Sequence, residues 1–399
     1  MKDFRFDVCV VGGCGHVGLP LAITFAHQGL KVSVYDINER SIELVRSGRM
    51  PFLENGAEPV LQQVIGRSLD VANDPGLVSQ SRFVVVVIGT PVDEHLNPTF
   101  HTMRRFFATL LPHLVDGQCV ILRSTVYPGT TEKVNELIAT AGKDVCVAFC
   151  PERVAEGKAM EELSTLPQIV SGCSERAVAM ASELFGRIAR SIIRLTPLEA
   201  ELTKIFANVW RYIQFATANQ FFMIATDYGL DFYRIYDALT RDYPRMSGLP
   251  KSGFAAGPCL FKDTMQLAAA DNNSFSLGHA AMLINEGLPN FVVRHLKEHY
   301  PLGKMRVGVL GMAFKANSDD PRESLSYKLR KILEYEATDV LCTDVYIKDP
   351  SFLPLEEVIT RSDLLIVGAP HKEYRELEVP ASKPVIDIWN FYGKGTFLT

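Results

Sequence analysis

The first half of the chain alternates short apolar runs with longer segments of mixed pattern. Residues 84–88 are apolar at every position, which is typical of a strand buried on both faces of a sheet. Strands that alternate with helical segments predict βαβ units and a parallel sheet. The predicted strands are FDVCVVG (6–12), KVSVYD (31–36), FVVVVIGT (83–90), CVILRST (119–125), VCVAFCP (145–151) and SIIRLT (191–196).

The pattern changes at residue 197. Residues 197–229 begin with proline, end with glycine and contain neither in between, which suits the start and the stop of a helix. This segment predicts one helix of about 30 residues, about 45 Å long. Helix-like segments continue to about residue 300.

An α/β pattern returns after residue 300. The predicted strands there are KMRVGVLG (304–311), TDVLCTD (338–344), DLLIVGAP (363–370) and PVIDIW (384–389). The predicted fold class is therefore α/β, with two Rossmann-like α/β domains joined by a helical central domain that contains one long helix. The predicted domain boundaries are 1–196, 197–300 and 301–399.

Composition and charge narrow the class of protein. The 399 residues carry a net charge of −5, which argues against nucleic-acid binding. Eight cysteines without a C-x-x-C pair predict mostly buried, reduced thiols and no metal site. We also expect a cytoplasmic protein without membrane contact, because no apolar run approaches the length of about 18 residues that spans a bilayer.

A glycine motif follows the first predicted strand and opens a helix. Gly13-x-Gly15-x-x-Gly18 gives a tight turn, close approach to a pyrophosphate and close helix–strand packing. Asp36 ends the next strand, where a carboxylate accepts ribose hydroxyls and disfavours a 2′-phosphate. The complete unit predicts an NAD site at the N-terminus. Arg40 follows as either a cofactor contact or a solvated helix residue.

Polar residues on the long helix and after two strands are candidates for chemistry. Lys204, Asn208 and Arg211 share one helix face, either to bind a sugar and stabilise an oxyanion or as a solvated stripe. Glu152 follows a strand end, where open α/β sheets bind ligands, and is either a general base or the start of a surface helix. Thr125 follows another strand.

Cys259 and the final domain are ambiguous on pattern alone. Cys259 is either a nucleophile, helped by a cation such as Lys204 or Lys262, or a small apolar residue at a bend.

The final domain has VLGMAFK without GxGxxG, so it is no second NAD site, although its strand ends suit another nucleotide. Lys315 is either a phosphate contact there or a surface lysine.

An ordered set of motifs resembles a known family. The motifs are VVGGCGHVGLP, GTP (89–91), STVYPGT (124–130), PERVAEG (151–157), LTKIFAN (202–208), GPCLFKDT (257–264) and LGMAFKANSDDPRES (310–324). The chain is similar over nearly its whole length to the UDP-sugar 6-dehydrogenases of the UDP-glucose/GDP-mannose dehydrogenase family. This resemblance implies NAD-dependent four-electron oxidation of a sugar C6 hydroxymethyl to a carboxylate.

The resemblance also implies roles for particular residues. Cys259 would trap the aldehyde as a thiohemiacetal and carry the thioester, with Lys204 and Asn208 stabilising the oxyanion. Asp263 would position a water and assist proton transfer, and Glu152 would be the general base of thioester hydrolysis, with Thr125 nearby. The predicted cofactor contacts are Gly13, Gly15, His16, Val17, Gly18, Asp36, Arg40, Thr90, Thr125, Glu156, Lys262 and Arg322. The predicted substrate contacts are Glu152, Arg153, Val154, Lys204, Asn208, Arg211, Arg245, Phe254, Gly257 and Lys315.

The resemblance implies a homodimer built on the long helix, with Arg245 reaching the neighbouring active site. The chain departs from the family pattern at Ala255, Ala256, Pro258 and Trp389. Because Trp389 stands where many members have arginine, the resemblance implies that a polar contact near the nucleotide is lost or rerouted.

The Lys262–Asp263 pair after the cysteine favours UDP-glucose, with a UDP-N-acetylhexosamine (ManNAc or GlcNAc) as the alternative. Two more distant alternatives are a hydroxyacid dehydrogenase similar to 6-phosphogluconate dehydrogenase and a non-catalytic NAD-binding regulator.

Overall fold

The computed structural model describes residues 4–89, 100–255, 257–380 and 382–394. The chain divides into two compact units, Met1–Ala207 and Asn208–Thr399. The division into three domains, at residues 196 and 300, stays a prediction. In the described ranges, no helix is both long and apolar enough to cross a membrane.

The first unit is built on an eight-stranded sheet, and six of its strands follow the predicted apolar runs. Its strands are β1 (Phe6–Val11), β2 (Val32–Tyr35), β3 (Leu69–Ala72), β4 (Ser81–Val86), β5 (Cys119–Leu122), β6 (Cys146–Phe149), β7 (Gln168–Gly172) and β8 (Ile192–Arg194). Its helices are α1 (Gly18–His27), α2 (Glu39–Arg46), α3 (Ala57–Val64), α4 (Gly76–Ser79), α5 (Phe100–Leu110), α6 (Thr130–Thr140), α7 (Ala159–Thr165) and α8 (Glu175–Phe185). The sheet order is β3-β2-β1-β4-β5-β6-β7-β8, so β1 lies between β2 and β4, and its carboxyl end leads into the glycine motif.

Two strands of this sheet differ from the prediction. β3 and β7 are absent from the predicted set because polar side chains interrupt their apolar pattern, such as the exposed Asp70 and the buried Gln168. β7 also pairs antiparallel with β6, through Ala148 and Gly172, in a sheet expected to be parallel. An apolar pattern reports burial and carries no strand direction, which is why the sequence does not reveal this reversal.

The long helix α9 (Pro197–Asp227) has 31 residues, which confirms the predicted helix, and it crosses the boundary between the units. The other helices of the second unit are α10 (Phe232–Thr240), α11 (Leu260–Ala270), α12 (Ser276–His299), α13 (Leu325–Glu336) and α14 (Leu355–Arg361). Its strands are β9 (Arg306–Leu310), β10 (Asp339–Thr343), β11 (Leu364–Val367) and β12 (Val385–Ile386). They form a parallel sheet in the order β10-β9-β11-β12.

One core joins helices and sheet within the second unit. Phe222 on α9, Phe291 on α12, Leu329 on α13 and Ile366 on β11 are all buried in it. Each such side chain contributes about 1.5–3 kcal/mol when it is fully buried. Phe254, five residues before Cys259, belongs to the same core, so the segment before Cys259 is held on a packed scaffold.

Candidate active site

The glycine motif forms the loop between β1 and α1. A Cβ at Gly13 would lie 2.8 Å from the Val10 carbonyl oxygen, and one at Gly18 would lie 2.6 Å from the Gly13 Cα. These two glycines are therefore required by close packing. Among the described residues, a Cβ at Gly15 would meet no atom within 4 Å, so the backbone there is open to a ligand. This is the arrangement that a bound pyrophosphate needs.

Asp36 is held beside this loop. One of its carboxylate oxygens accepts a hydrogen bond from the Cys14 N–H at 2.9 Å, and the other accepts one from the Asn38 N–H at 2.9 Å. Each carboxylate oxygen has two lone-pair sites, so Asp36 keeps acceptor capacity for ribose hydroxyls. Arg40 is exposed on the first turn of α2.

His16 and Glu156 lie close together, although 140 positions separate them in the sequence. His16 Nδ1 is 3.9 Å from a Glu156 carboxylate oxygen. The His16 imidazole also packs against the Phe52 ring, with centroids 4.0 Å apart. Two predicted cofactor contacts are thus brought to one place at the edge of the glycine loop, and the partly buried Val17 continues that loop.

Glu152 is held by a buried partner that sequence reasoning missed. The Arg123 guanidinium, fully buried, donates to one Glu152 oxygen, to the Cys150 carbonyl oxygen at 3.1 Å and to Gln168 at 3.0 Å. The other Glu152 oxygen accepts from the N–H groups of Arg153 at 2.7 Å and Val154 at 2.9 Å. The two backbone N–H groups that were expected near the substrate are thus bound to Glu152. The signal for Arg123 was a charge at the end of the apolar run CVIL.

The loop after Glu152 is anchored by another unpredicted acid. Buried Glu54 accepts hydrogen bonds from the Gly157 N–H at 2.9 Å and from the Ala159 N–H at 2.8 Å. Asn55 donates to the Gly157 carbonyl oxygen at 2.9 Å. These contacts hold the segment that carries Glu156, and no local feature of the sequence indicates them.

Glu201 on α9 supports the loop that contains Thr125. It accepts from the N–H groups of Gly129 at 2.6 Å and Thr131 at 2.8 Å, and from the Thr131 hydroxyl at 2.5 Å. These donors lie at the N-terminus of α6, whose first N–H groups have no partner within the helix. Burial raises the pKa of Glu201 despite these hydrogen bonds.

Cys259 lies at the N-cap position of α11 and is exposed. The helix N-terminus favours negative charge, which a thiolate carries. Asp263, one turn later, is fully buried, and its N–H donates to the Cys259 carbonyl oxygen at 2.9 Å. Asn208 Nδ2 donates to one Asp263 oxygen at 2.5 Å, while Lys262 Nζ lies 2.9 Å from the other. The second unit thus brings four predicted site residues together.

The other seven cysteines have a different environment. All eight cysteines are among the described residues, and none forms a disulfide. Burial raises the pKa of Cys9, Cys14 and Cys150 to about 12 and that of Cys173 and Cys342 to about 11. The remaining two thiols also have raised pKa values because of burial. Exposure therefore distinguishes Cys259 from the rest, which the spacing of cysteines alone did not.

Residues 252–255 and 257–258, which precede Cys259, are called the cysteine loop. Gly253 and Gly257 both have positive φ, 154° and 108°, and each lies against an aromatic ring. A Cβ at Gly253 would lie 2.3 Å from the Trp389 indole, and one at Gly257 would lie 2.6 Å from the Phe314 ring. Phe254 is buried with its ring edge-on to Trp389, 6.3 Å between centroids. Its side chain, expected to contact substrate, therefore belongs to the core.

A cavity of about 430 Å³ opens beside Trp389. Its lining combines two cations with aromatic rings, which suits a ligand that has a flat base and negative charge. The lining residues are Lys251, Pro370, Arg375, Trp389, Asn390, Phe391, Tyr392 and Gly393.

Three family models match the chain in order. They are the NAD-binding domain (residues 6–189), the central domain (198–287) and the UDP-binding domain (308–394) of the UDP-glucose/GDP-mannose dehydrogenase family. The chain belongs to that family. NAD is its cofactor.

Relatives and solved structures agree with this assignment. The chain is 30% identical over 377 residues to a UDP-N-acetyl-D-mannosamine dehydrogenase of Pyrococcus horikoshii, covering 92% of this chain and 90% of that one. It is 28% identical to the enzyme of the same name from Methanocaldococcus jannaschii, covering 93% and 87%. The structure of the UDP-D-ManNAc dehydrogenase from Pyrococcus horikoshii has a TM-score of 0.89 at 29% identity and covers 96% of each chain.

The UDP-binding domain carries two further predicted residues. Lys315 lies 5.4 Å from the centroid of the Phe314 ring. Arg322 donates to the buried Asp320 from its backbone N–H at 2.9 Å, from Nε to both carboxylate oxygens at 2.9 Å and from Nη2 at 2.6 Å. Its side chain stays 57% exposed. The indole of Trp389 donates to the Val367 carbonyl oxygen at 3.1 Å.

The remaining predicted residues lie at the surface or outside the described ranges. Arg211 is exposed on α9, and Arg245 is exposed in a short turn, with its guanidinium 5.7 Å from the Tyr243 ring. Lys204 is partly buried on α9, one turn before Asn208. Thr90 and Ala256 lie outside the described residues.

Proposed function

We propose that the protein is an NAD-dependent UDP-N-acetylhexosamine 6-dehydrogenase, with UDP-N-acetyl-D-mannosamine as the favoured substrate. The observation that carries the reaction type is the exposed Cys259 thiol at the start of α11, one turn from the buried Asp263–Asn208 pair. The sugar rests on the relatives, which are named for N-acetylmannosamine. They do not support the expected preference for UDP-glucose, and the N-acetylhexosamine alternative fits them better.

The chain's residues fit the cofactor. Gly15 leaves open backbone for a pyrophosphate, and Asp36 keeps lone pairs for the ribose. When bound, each NAD would accept one hydride, so the two hydrides that the reaction removes would require two NAD molecules in turn. Of the predicted contacts, His16 and Glu156 lie together at the edge of this loop. We assign them to the same cofactor.

The reaction requires a covalent group, which Cys259 supplies. The overall change converts RCH₂OH and water into RCOO⁻ with the loss of two hydrides and three protons. Loss of the first hydride and one proton leaves an aldehyde, and addition of the Cys259 sulfur to its carbon gives a thiohemiacetal. Loss of the second hydride and a proton gives a thioester, and water then breaks the C–S bond and restores the thiol. Covalent attachment also retains the aldehyde.

We assign the supporting roles as follows. Lys204 stabilises the oxyanion on the reacting carbon. Asn208 donates to Asp263, and Asp263 in turn positions the hydrolytic water. Glu152 is the general base for that water. Its three hydrogen-bond donors leave one of its approximately four lone-pair sites available.

The UDP portion of the substrate is assigned to the cavity beside Trp389. The cavity lies mainly within the UDP-binding domain. The Trp389 indole offers a stacking surface for uracil, while Lys251 and Arg375 offer positive charge to the phosphates. Lys315 is a further candidate for a phosphate contact.

The experiment is a panel of UDP-ManNAc, UDP-GlcNAc and UDP-glucose with excess NAD, scored as NADH formed per sugar consumed. We expect two NADH per sugar and the highest kcat/KM with UDP-ManNAc. Cys259→Ala should release no acid. One NADH per sugar, or full acid formation by Cys259→Ala, contradicts the covalent mechanism. A highest kcat/KM with UDP-glucose contradicts only the assignment of the sugar.

We also propose a homodimer through α9. Trp210, Phe221 and Ile224 on α9 are 61%, 41% and 46% exposed. Their spacings of 11 and 3 place them on one helix face, and an apolar stripe of this kind marks a protein interface. Tyr228, in the turn directly after α9, is 78% exposed. Light scattering after size exclusion should give twice 44.4 kDa for the native chain and a monomer for Trp210→Glu/Ile224→Glu. A native monomer contradicts the dimer, and with it the role of Arg245 in a neighbouring site.

A further inference from the structure

Two aromatic rings of the UDP-binding domain lie close against the backbone of the cysteine loop. The positions where a Cβ would stand on Gly253 and Gly257 are 2.3 Å from the Trp389 ring and 2.6 Å from the Phe314 ring. Real Cβ atoms do not approach other atoms that closely. The loop is therefore supported at two points, and the second lies two residues before Cys259.

The indole of Trp389 is itself firmly held. Its Nε1–H donates to the Val367 carbonyl oxygen at the end of β11, at 3.1 Å. The preceding carbonyl, of Ile388, accepts hydrogen bonds from the hydroxyls of Ser252 at 2.8 Å and Tyr233 at 2.6 Å. Residues 388–389 and the start of the cysteine loop are thus connected by polar contacts as well as by packing.

A buried amide relay holds the other side of Gly253. The Gly253 N–H donates to Asn219 at 2.9 Å, and Asn219 donates to Asn285 at 2.9 Å. Asn285 donates in turn to the Tyr212 carbonyl oxygen at 3.0 Å. Gly253 is therefore fixed between a polar relay and the indole, so a shift of the indole acts directly on the loop.

The same indole lines the 430 Å³ cavity, together with Lys251, which directly precedes the cysteine loop. A ligand in this cavity therefore contacts the residue that supports Gly253. If a ligand binds more tightly when the indole rests on Gly253, then binding of that ligand stabilises the same arrangement of the loop. This follows because the coupling between ligand binding and loop arrangement is reciprocal.

We propose that Trp389 is a positioning residue that couples occupation of this cavity by the uridine diphosphate group to the placement of Cys259. This inference rests on the proposed function, because it takes UDP as the occupant. The indole provides a packed surface that joins the nucleotide cavity to the nucleophile's loop.

The test measures the reactivity of Cys259 without any sugar. The full chain is treated with iodoacetamide, with and without saturating UDP, and alkylation of the Cys259 peptide is followed by mass spectrometry. In the native protein we expect UDP to change the alkylation rate by about 5-fold or more, the lower range of coupling between sites. In Trp389→Ala, at UDP concentrations shown by calorimetry to saturate it, the effect should fall below about 2-fold.

Two further variants separate coupling from general damage. Trp389→Phe keeps a ring against Gly253 and should restore most of the UDP effect. Tyr335→Ala removes an aromatic side chain that is 89% exposed on α13 and should leave the effect unchanged. If Trp389→Ala does not fold, as judged by circular dichroism, Trp389→Leu carries the same expectation, because it keeps apolar volume without a ring face.

The outcomes distinguish this inference from the proposed function. A UDP effect that survives in saturated Trp389→Ala, or one that is absent from the UDP-bound native protein, overturns the coupling and leaves the dehydrogenase proposal intact. A native protein that does not bind UDP overturns both.

Discussion

Arg123 should be required for the stability of the NAD-binding domain because it neutralises the buried Glu152 carboxylate, and its replacement by methionine tests this. The guanidinium has no exposed surface, and Glu152, its partner, is only 10% exposed. Arg123→Met keeps most of the side-chain volume but leaves the Glu152 carboxylate without its counter-charge, with two backbone donors remaining. Breaking a buried pair in this way costs about 3–5 kcal/mol.

Native-state hydrogen exchange of the β5 and β6 amides is the appropriate assay, because those strands flank the pair and a chain of two compact units need not unfold in one step. The matched control is Arg82→Met on β4. Arg82 pairs with Glu183 at 2.7 Å, but the side chains are 39% and 52% exposed. Such surface pairs contribute about 0–1 kcal/mol, so the control should change the exchange free energy little.

A double variant isolates the charge itself. Glu152→Gln in the Arg123→Met background removes the uncompensated carboxylate while it keeps the side-chain shape. We expect the double variant to be more stable than Arg123→Met by about 1 kcal/mol or more. The reasoning is refuted if Arg123→Met costs no more than Arg82→Met, or if adding Glu152→Gln destabilises it further.

Three other perturbations follow from the same geometry. Gly15→Ala should change the free energy of unfolding by less than about 0.5 kcal/mol. It should weaken NAD binding, measured by calorimetry, by about 10-fold or more, because the added Cβ enters the open space where the pyrophosphate is expected. Unchanged NAD affinity contradicts this. Burial raises the pKa of Glu201 above its ordinary value of 4.5, so its stabilising contribution is complete below pH 4.5 and is lost as pH rises. The urea stability of the native chain relative to Glu201→Gln should therefore be greater at pH 4.5 than at pH 7, and the opposite trend would exclude this account. At pH 8, iodoacetamide should label Cys259 well before Cys9 or Cys150, whose pKa values of about 12 leave a thiolate fraction of about 10⁻⁴; equal labelling would contradict the burial argument.

The parts of the site that the sequence predicts are those with local signals. The glycine spacing and the strand that ends at Asp36 are contiguous features, and so is the helix over Pro197–Asp227. Backbone geometry and burial dictate residue type at such positions, so the pattern can be interpreted directly. For Cys259 the sequence predicts only a bend, and the start of α11 at that residue is a finding of the structure.

The residues that sequence reasoning missed act over long separations. Arg123 and Glu152 are 29 positions apart, and Glu201 and Thr131 are 70 apart. Glu54 reaches Gly157 across 103 positions. Each is a buried charge satisfied by a distant partner, and no window of sequence contains both members. Only the folded chain shows that these acids and this arginine support the loops on which the predicted residues stand.

The two strand-end aspartates show why the glycine motif matters more than the acid. Asp344 follows β10 in the UDP-binding domain much as Asp36 follows β2. Asp344 has no exposed surface, and it accepts from four backbone N–H groups and from His371. These donors, led by His371, outweigh the effect of burial and lower the pKa of Asp344.

Asp344 therefore has no lone pair left for a ribose, whereas Asp36 has only two backbone donors. The loop next to Asp344 begins at Gly311, where a Cβ would lie 2.5 Å from the Ala369 carbonyl oxygen. That glycine serves the protein's own packing, while Gly15 faces open space. A strand that ends in aspartate thus serves the fold in one domain and keeps acceptor capacity for a ribose in the other. What decides between them is whether the glycine loop leaves room for a pyrophosphate, and this is where the spacing Gly13-x-Gly15-x-x-Gly18 carries its information.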